Sequence, residues 1–199
     1  MKELSALTVK RKTGKELFHY NGKALPVDLL SFWSWSSSDL VNNTLRGMLA
    51  EFIVALALDC DKGVRKEWDA FDIKTSDGIK VEVKSGAYIQ SWAQTKLSKI
   101  QFDIRPTQGW NADSNTYSAK KVRQSDVYVF CVLAHKNKDT IDPLNLNQWE
   151  FYVISTKVLN KFVGNQKTIT LSRLQKLGPL KVAFDKISFA VKQALEISS

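Results

Sequence analysis

The amino-acid sequence predicts a single α/β domain in which a mixed central β-sheet is flanked by α-helices. Three segments carry this prediction: an apolar helix over residues 41–59, a β-hairpin over residues 70–85 and a strand over residues 127–133. The strand is apolar at every position, which is typical of a central strand that is buried on both faces. With 199 residues, the chain is long enough to bury one sizeable core.

Two elements are predicted ahead of the long helix. Residues 1–25 form a basic arm that is irregular or strand-like, and the aromatic-rich residues 29–35 form a short helix. The long helix then begins at one of three N-cap candidates, Asn42, Asn43 or Thr44, because their side chains can accept a backbone N–H of the first turn.

Glu51 is the only charged residue in the apolar stretch 48–58 of the long helix. A lone carboxylate on the buried side of a helix costs several kcal/mol unless it is paired or bound to a metal. Two explanations stay open. Glu51 reaches solvent or pairs with a base such as Arg46, or it joins the carboxylates of the hairpin that follows.

The hairpin brings two carboxylates and one ammonium group to a single point. Asp77-Gly78 is a turn dipeptide, so the strand that begins at Asp72 folds back beside the next strand. Strand side chains alternate, so Glu82 and Lys84 share one face. Such a set suits a hard divalent cation and the charge of a phosphate. The same spacing also fits a solvated strand face with an ion pair.

The chain beyond the hairpin is predicted to turn from a strand into a short helix, in which Gln90 and Gln94 share one side. Residues 95–122 form a long connection of the kind that is usually functional or mobile. Its bases, amides and aromatic residues suit contacts to phosphates and bases. The candidate nucleic-acid contacts are Arg105, Trp110, Asn111, Lys120, Lys121 and Arg123. Alternatively, Trp110 and Tyr117 anchor the loop while its charges are solvated.

A strand over residues 149–154 completes the predicted sheet. A helical extension over residues 156–199 follows, with a candidate strand at residues 168–171. The core of the domain is therefore expected at about residues 41–155. The whole chain, 1–199, is expected to form one domain, with the basic arm 1–25 and the helical extension 156–199 on either side of this core.

The candidate residues together resemble one known group of enzymes. The residues that carry the resemblance are Glu51, Asp72, the tripeptide Glu82-Val83-Lys84 and the strand that begins at Asp126. They are similar to the PD-(D/E)XK nuclease superfamily, whose members share the restriction endonuclease-like fold. The resemblance covers about residues 44–155 and implies that fold for this chain.

The resemblance implies a role for each matching residue. Asp72 and Glu82 would hold Mg²⁺, with Mn²⁺ able to substitute, and the Val83 carbonyl would be a backbone ligand. Glu51 would bind a second metal ion or order a water. Lys84 would orient or deprotonate the attacking water, or offset charge on the phosphorus.

Three positions qualify this match. Gln90 stands where several branches of the superfamily carry a functional glutamine. Phe71, rather than proline, precedes Asp72. Asp69 competes with Asp72 as a metal ligand, but residues three apart on a strand face opposite sides. We expect Asp72 to be the ligand because the alternating run begins there.

The net charge of +9 lies at the two ends of the chain. Such a basic protein attracts polyanions, although basic charge also keeps proteins soluble. No apolar stretch is long enough for a membrane span, and the start lacks the apolar core of a signal peptide. Cys60 and Cys131 lie in apolar segments and are expected to be reduced, as in a cytoplasmic protein.

The sequence therefore predicts a Mg²⁺-dependent endonuclease, with DNA as the expected substrate and restriction, defence or repair as the setting. A second copy of the chain is a candidate partner, because cutting both strands of a duplex usually requires two active sites. One alternative is a catalytically inactive nucleic-acid-binding module with a nuclease-like fold. Another is an interaction protein in which Glu51 is paired with Lys84.

Overall fold

The computed structural model of the protein describes residues 7–65, 69–111 and 116–197. The strands in these residues are β1 (Leu17–Tyr20), β2 (Lys23–Asp28), β3 (Ile73–Lys74), β4 (Lys80–Ala87), β5 (Gln101–Asp103), β6 (Thr107–Asn111), β7 (Thr116–Val122), β8 (Val127–Leu133), β9 (Trp149–Ser155), β10 (Thr168–Thr170) and β11 (Leu180–Val182). The helices are α1 (Leu29–Ser36), α2 (Asn43–Ala57), α3 (Thr156–Val163), α4 (Leu171–Gln175) and α5 (Ile187–Glu196), with short 3-10 turns at Leu146–Gln148 and Phe184–Lys186.

The central sheet has the strand order β11-β9-β8-β4-β3. Strands β4 and β8 are parallel, and the other neighbours are antiparallel, so the predicted mixed sheet is confirmed. All seven residues of β8 are buried, as its unbroken apolar sequence predicted.

Two apolar layers cover the faces of this sheet. On one face, α2 and α5 pack through residues such as Val54 and Val191 against β4, β8 and β9. On the other face, the pair β5–β10 and helices α3 and α4 pack against Tyr128 and Phe130 of β8. None of the helices in the described part of the chain is long and apolar enough to cross a membrane.

Helix α2 forms where the sequence predicted it. The Asn42 side chain caps the helix by accepting the Leu45 N–H at 2.9 Å, which satisfies one of the unpaired donors of the first turn. The helix ends at Ala57, followed two residues later by Asp59 in a left-handed conformation (φ 55°). This placement brings the side of α2 that carries Glu51 beside the β3–β4 edge of the sheet.

The predicted hairpin is present, but its first strand is much shorter than expected. The hairpin was predicted over residues 70–85, whereas its first strand, β3, contains only Ile73 and Lys74. The Thr75 hydroxyl accepts the Ile79 N–H at 2.9 Å, and Gly78 adopts a φ of 90°, so the chain turns before more ladder bonds form. Among the described residues, β4 therefore has backbone partners at this edge only near its start, at Lys80 and Val81.

The short helix predicted beyond Lys84 is absent. Strand β4 continues through Ala87 in register with β8, and residues 88–99 form no helix. The residues after it take an irregular path that side-chain amides stabilise. The side-chain oxygen of Gln94 accepts the Gln90 backbone N–H at 2.7 Å, and the side-chain NH2 of Gln94 donates to the Tyr88 carbonyl at 3.2 Å. These bonds compete with helix formation by satisfying backbone groups locally.

The ends of the chain contain more strand structure than predicted. The basic arm includes the hairpin β1–β2, whose turn residues Asn21 and Gly22 have φ values of 49° and 73°, as a type I′ turn requires. The predicted helical extension also contributes β11 to the central sheet. The strand predicted at residues 168–171 is confirmed as β10, which pairs with β5. The core therefore extends beyond residue 155, to α5.

Candidate active site

Asp72 occupies the edge of the sheet, immediately before the start of β3. Its backbone N–H donates to the Val81 carbonyl at 3.1 Å, and its carboxylate accepts the Val83 N–H at 2.7 Å. The carboxylate thus replaces the strand bond that β3 is too short to make. The N–H and C=O of a strand residue point to the same neighbour, so the Val83 carbonyl also points to this edge.

Glu82 and Lys84 lie on one face of β4, as the alternation predicted. The Lys84 ammonium donates to one Glu82 carboxylate oxygen at 2.6 Å, and the Ser125 hydroxyl donates to the other at 3.1 Å. The Lys84 and Glu82 side chains are 27% and 19% exposed, so the pair is partly withdrawn from water. An ion pair in this environment is screened less than one on the surface.

The carboxylates of the site repel each other. Burial, and next the negative charge of Glu82, raise the pKa of Asp72 to about 7, although the Val83 N–H acts in the opposite direction. Burial lowers the pKa of Lys84, but the carboxylates of Glu82, Asp72 and Asp103 outweigh it and raise that pKa above its ordinary value. Lys84 is therefore a charged ammonium at neutral pH.

Glu51 approaches the same point from helix α2. Its carboxylate pairs with Arg65, with 3.0 Å between Oε1 and Nη2, and its charge also raises the pKa of Asp72. Neither Arg46 nor Lys84, the two partners considered from the sequence, forms this pair. The interaction-protein hypothesis that rested on a Glu51–Lys84 pair is therefore wrong.

Two cavities lie at the candidate site, and Asp72 lines the first of them. The first, of about 530 Å³, contains Glu51 and Asp72 among its lining residues, with Arg11, Arg65 and Lys74 as cations. Asp69 is exposed and lines the same cavity, whereas Asp72 is the aspartate that bonds to β4.

The second cavity, of about 370 Å³, lies on the Glu82–Lys84 face and contains a carboxylate that was not singled out from the sequence. This is Asp103 of β5, whose carboxylate pairs with the Arg105 guanidinium at 2.6 Å and acts on Lys84. Asp103 falls in the predicted connection 95–122, and nothing in the local sequence indicated that it faces the site.

Gln90 takes a structural position at the far end of β4. Its side chain is buried, accepts from Arg46 at 3.4 Å and donates to the Ala87 carbonyl and the Ser98 hydroxyl, each at 3.3 Å. Arg46 in turn donates to Ser85 at 3.1 Å. These bonds fix the chain after β4, and none of them reaches Asp72, Glu82 or Lys84.

The predicted nucleic-acid contacts separate into two groups. Lys120 and Lys121 are exposed on the two-stranded ribbon β6–β7, which also carries the half-buried Trp110, and Arg105 lies at its base. The side chain of Asn111 lies outside the described residues.

Arg123 belongs inside the protein, and the expectation that it contacts nucleic acid is corrected. Its guanidinium donates to the carbonyls of Ile104, Gly164 and Gln166 at 2.7, 2.7 and 2.9 Å, and to the Asn160 side chain. Gly164 caps α3, so Arg123 joins the end of that helix to β5.

The donor set can be tested for its fit to a metal ion. In the part of the chain that the structure describes, no three His, Cys, Asp or Glu side chains are already gathered around one point. Asp72 and Glu82 are nevertheless carboxylates whose charges act on each other, and the Val83 carbonyl points to the same edge. Oxygen donors of this kind fit a hard divalent cation, which would offset their mutual repulsion.

Comparison with known proteins identifies an endonuclease. Residues 29–173, well over half of the chain, match the family model of bacteriophage T4 endonuclease IV. The chain belongs to the phage T4 endonuclease IV family. It is thus a nuclease of α/β architecture, and nucleic acid is its substrate. No curated protein and no solved structure gives a significant match.

The matched region contains Glu51, Asp72, Glu82 and Lys84. It does not include the arm and hairpin before residue 29, or the helix α5. The relation to the PD-(D/E)XK superfamily is not part of this match and stays a prediction.

Proposed function

We propose that this protein is a Mg²⁺-dependent DNA endonuclease of the PD-(D/E)XK type. The observation that carries the proposal is the meeting of Asp72 with the Glu82–Lys84 pair at the open edge of β4. DNA is the proposed polymer because the family is named for a phage endonuclease and the chain carries a net charge of +9.

Asp72, Glu82 and the Val83 carbonyl would hold the metal ion, with Glu51 ordering a water or contributing to a second site. A bound divalent cation supplies positive charge where the phosphodiester becomes more negative during attack. The raised pKa of Asp72 supports this assignment, because burial and next the charge of Glu82 disfavour its ionised form, and a bound cation would offset both. Mn²⁺, which also accepts oxygen ligands, is expected to substitute.

Lys84 acts as a cation rather than as a base. Its pKa is raised by Glu82, Asp72 and Asp103, so the ammonium keeps its proton at neutral pH. An ammonium at this position can donate to the attacking water and to a non-bridging phosphate oxygen. It thereby stabilises the charge that develops as the water oxygen bonds to phosphorus and the bond to the leaving oxygen breaks.

The two cavities give the DNA strand a place on each side of the reacting phosphate. One lies on the Glu51 side of Asp72, and the other lies on the Lys84 side. The ribbon β6–β7 continues from the second cavity, because Thr107 and Gln124 at its base line that cavity. Lys120 and Lys121 on the ribbon are therefore proposed to contact phosphates beyond the site.

A cleavage assay tests this proposal. Plasmid, linear duplex and single-stranded DNA would be incubated with Mg²⁺, with Mn²⁺ and with a chelator, for the wild type and for Asp72→Asn, Glu82→Gln and Lys84→Ala. Glu150→Gln is a matched control, because Glu150 also forms a 2.7 Å pair with a lysine, Lys181, but lies on β9 beside the opposite end of β8.

The proposal predicts metal-dependent cleavage that each of the three site variants loses and the control retains. If none of the proteins cleaves DNA but all of them bind it equally well, the protein is instead the inactive binding module. Cleavage that persists in Asp72→Asn and Glu82→Gln would place the active site elsewhere.

A further inference from the structure

Residues 10–36, which we call the N-terminal lobe, fold around the β1–β2 hairpin and helix α1. The Leu30 N–H donates to the Gly14 carbonyl at 2.8 Å, which ties the arm to the start of α1. Gly14 has a φ of 92°, and a Cβ there would lie 3.2 Å from the Trp33 ring, so the position requires glycine. The lobe is thus a defined structure rather than a loose extension.

The lobe exposes large aromatic side chains. None of the residues of α1 is buried, although most of them are apolar. Tyr20 and Trp35 are 70% and 84% exposed, and the other exposed aromatic residues of the lobe are Phe18, Phe32 and Trp33. Exposed apolar surface of this extent marks a binding surface in soluble proteins.

The same lobe is strongly basic on its outside. It contains five cations, which are Lys10, Arg11, Lys12, Lys15 and Lys23. Its two acidic residues are both used within the lobe. Glu16 accepts the N–H groups of Thr13 and Gly14 at 3.0 Å, and Asp28 caps α1 by accepting the Ser31 N–H at 2.8 Å. The lobe therefore offers aromatic rings interleaved with positive charge.

The lobe also borders the candidate active site. The Arg11 guanidinium donates to the Asp61 carbonyl at 2.8 Å, and Arg11 lines the first cavity together with Glu51 and Asp72. The basic arm therefore leads from the site to the hairpin. Residues 10–28 precede the region 29–173 that matches the family, so this part of the lobe is an addition to the matched core.

We propose that the N-terminal lobe is a second nucleic-acid-binding surface, which holds the substrate strand after it leaves the first cavity. Bases stack on Tyr20 and Trp35, while Lys15 and Lys23 contact phosphates, because aromatic faces and cations together suit a strand with accessible bases. This inference rests on the proposed function. A second copy of the chain is a poorer occupant, since two basic lobes repel each other.

Binding is measured with the full chain in a chelator, so that no cleavage occurs. The probes are fluorescein-labelled DNA of about 30 nucleotides and of about 6 nucleotides, and a duplex of the longer length. Tyr20→Ala/Trp35→Ala is the test variant, and Tyr20→Phe/Trp35→Phe keeps the stacking surface. The matched control is Leu144→Ala/Phe189→Ala, whose side chains are 66% and 63% exposed outside the lobe.

We expect the test variant to bind the 30-nucleotide strand at least about tenfold more weakly, from the usual effect of removing a stacking residue. The control, the Phe variant and the binding of the 6-nucleotide probe stay within about twofold of the wild type, because the short strand occupies only the cleft. Lys23→Ala lowers the slope of log affinity against log salt by about one. Molar mass from light scattering stays unchanged.

Equal affinity of the test variant and the wild type for the long strand overturns the inference. So does a wild-type dimer that the test variant dissociates, because the lobe would then be an interface between copies. Failure of the proposed function is a different result: the wild type would cleave no DNA in the metal-containing assay, whatever the lobe variants bind.

Discussion

Replacing Asp72 by asparagine is expected to stabilise the metal-free protein while it abolishes cleavage. The pKa of Asp72 is raised to about 7 from an ordinary value of 3.8, so the folded protein resists ionising this carboxyl group. The stability of the wild type therefore falls as the pH rises from about 4 to about 7, and the full cost is present above that range. Asparagine carries no charge and escapes this cost.

The magnitude follows from the shift in pKa. A difference of about three units corresponds to at most about 4 kcal/mol at pH 8. The side-chain carbonyl oxygen of the introduced asparagine can still accept the Val83 N–H, but a neutral acceptor loses about 1 kcal/mol relative to a carboxylate. The net gain is then about 2–3 kcal/mol, or about 5–10 °C in Tm for a domain of this size.

Thermal unfolding in a chelator at about pH 8 and about pH 5 measures this effect. The gain should be largest at the higher pH and should shrink at the lower pH, where the Asp72 carboxyl group is mostly protonated. Asp126→Asn is the control, because Asp126 also accepts a β4 backbone N–H, that of Lys80 at 2.9 Å, but is exposed. The reasoning is refuted if Asp72→Asn is no more stable than the wild type at pH 8, or if its gain is independent of pH.

Two further substitutions test the packing around the site. Gly86→Ala should lower the free energy of unfolding by about 1–3 kcal/mol, because the new Cβ would lie 2.7 Å from the Ile100 side chain. Urea unfolding measures this loss, and an unchanged midpoint would contradict the close approach of the two residues. Arg123→Ala should cost about 3 kcal/mol or more, because several buried acceptors lose their donor. The folded Arg123→Ala protein should still bind DNA as tightly as the wild type. If this variant instead keeps its stability and loses DNA affinity, Arg123 contacts DNA after all, as expected from the sequence.

Patterns that are decided locally were predicted well. The apolar sequence of β8 and the cap at Asn42 placed the central strand and the long helix, since burial on all sides and N-capping depend on residues close in the chain. The alternation in β4 placed Glu82 and Lys84 on one face for the same reason. The Asn21-Gly22 dipeptide was an equally local signal for the first hairpin, but residues 1–25 were predicted only as an irregular or strand-like arm.

Features that depend on distant parts of the chain could not be predicted in the same way. Strand β11 has three residues, and only its pairing with β9 makes it a strand. Arg65, rather than a neighbour on the helix, pairs with Glu51 because the chain returns past α2. Asp103 reaches Lys84 only because β5 packs beside β4.

Titration of the metal-free protein with Mn²⁺ by calorimetry tests the central claim most directly, which is that Asp72 and Glu82 share a cation beside Lys84. We predict binding by the wild type and Glu150→Gln, and loss of binding in Asp72→Asn and Glu82→Gln. Lys84→Ala should bind Mn²⁺ at least as tightly as the wild type, since its removal frees Glu82 from the 2.6 Å pair, and yet it should not cleave DNA. Wild-type affinity in Asp72→Asn, or wild-type cleavage by Lys84→Ala, would contradict this claim.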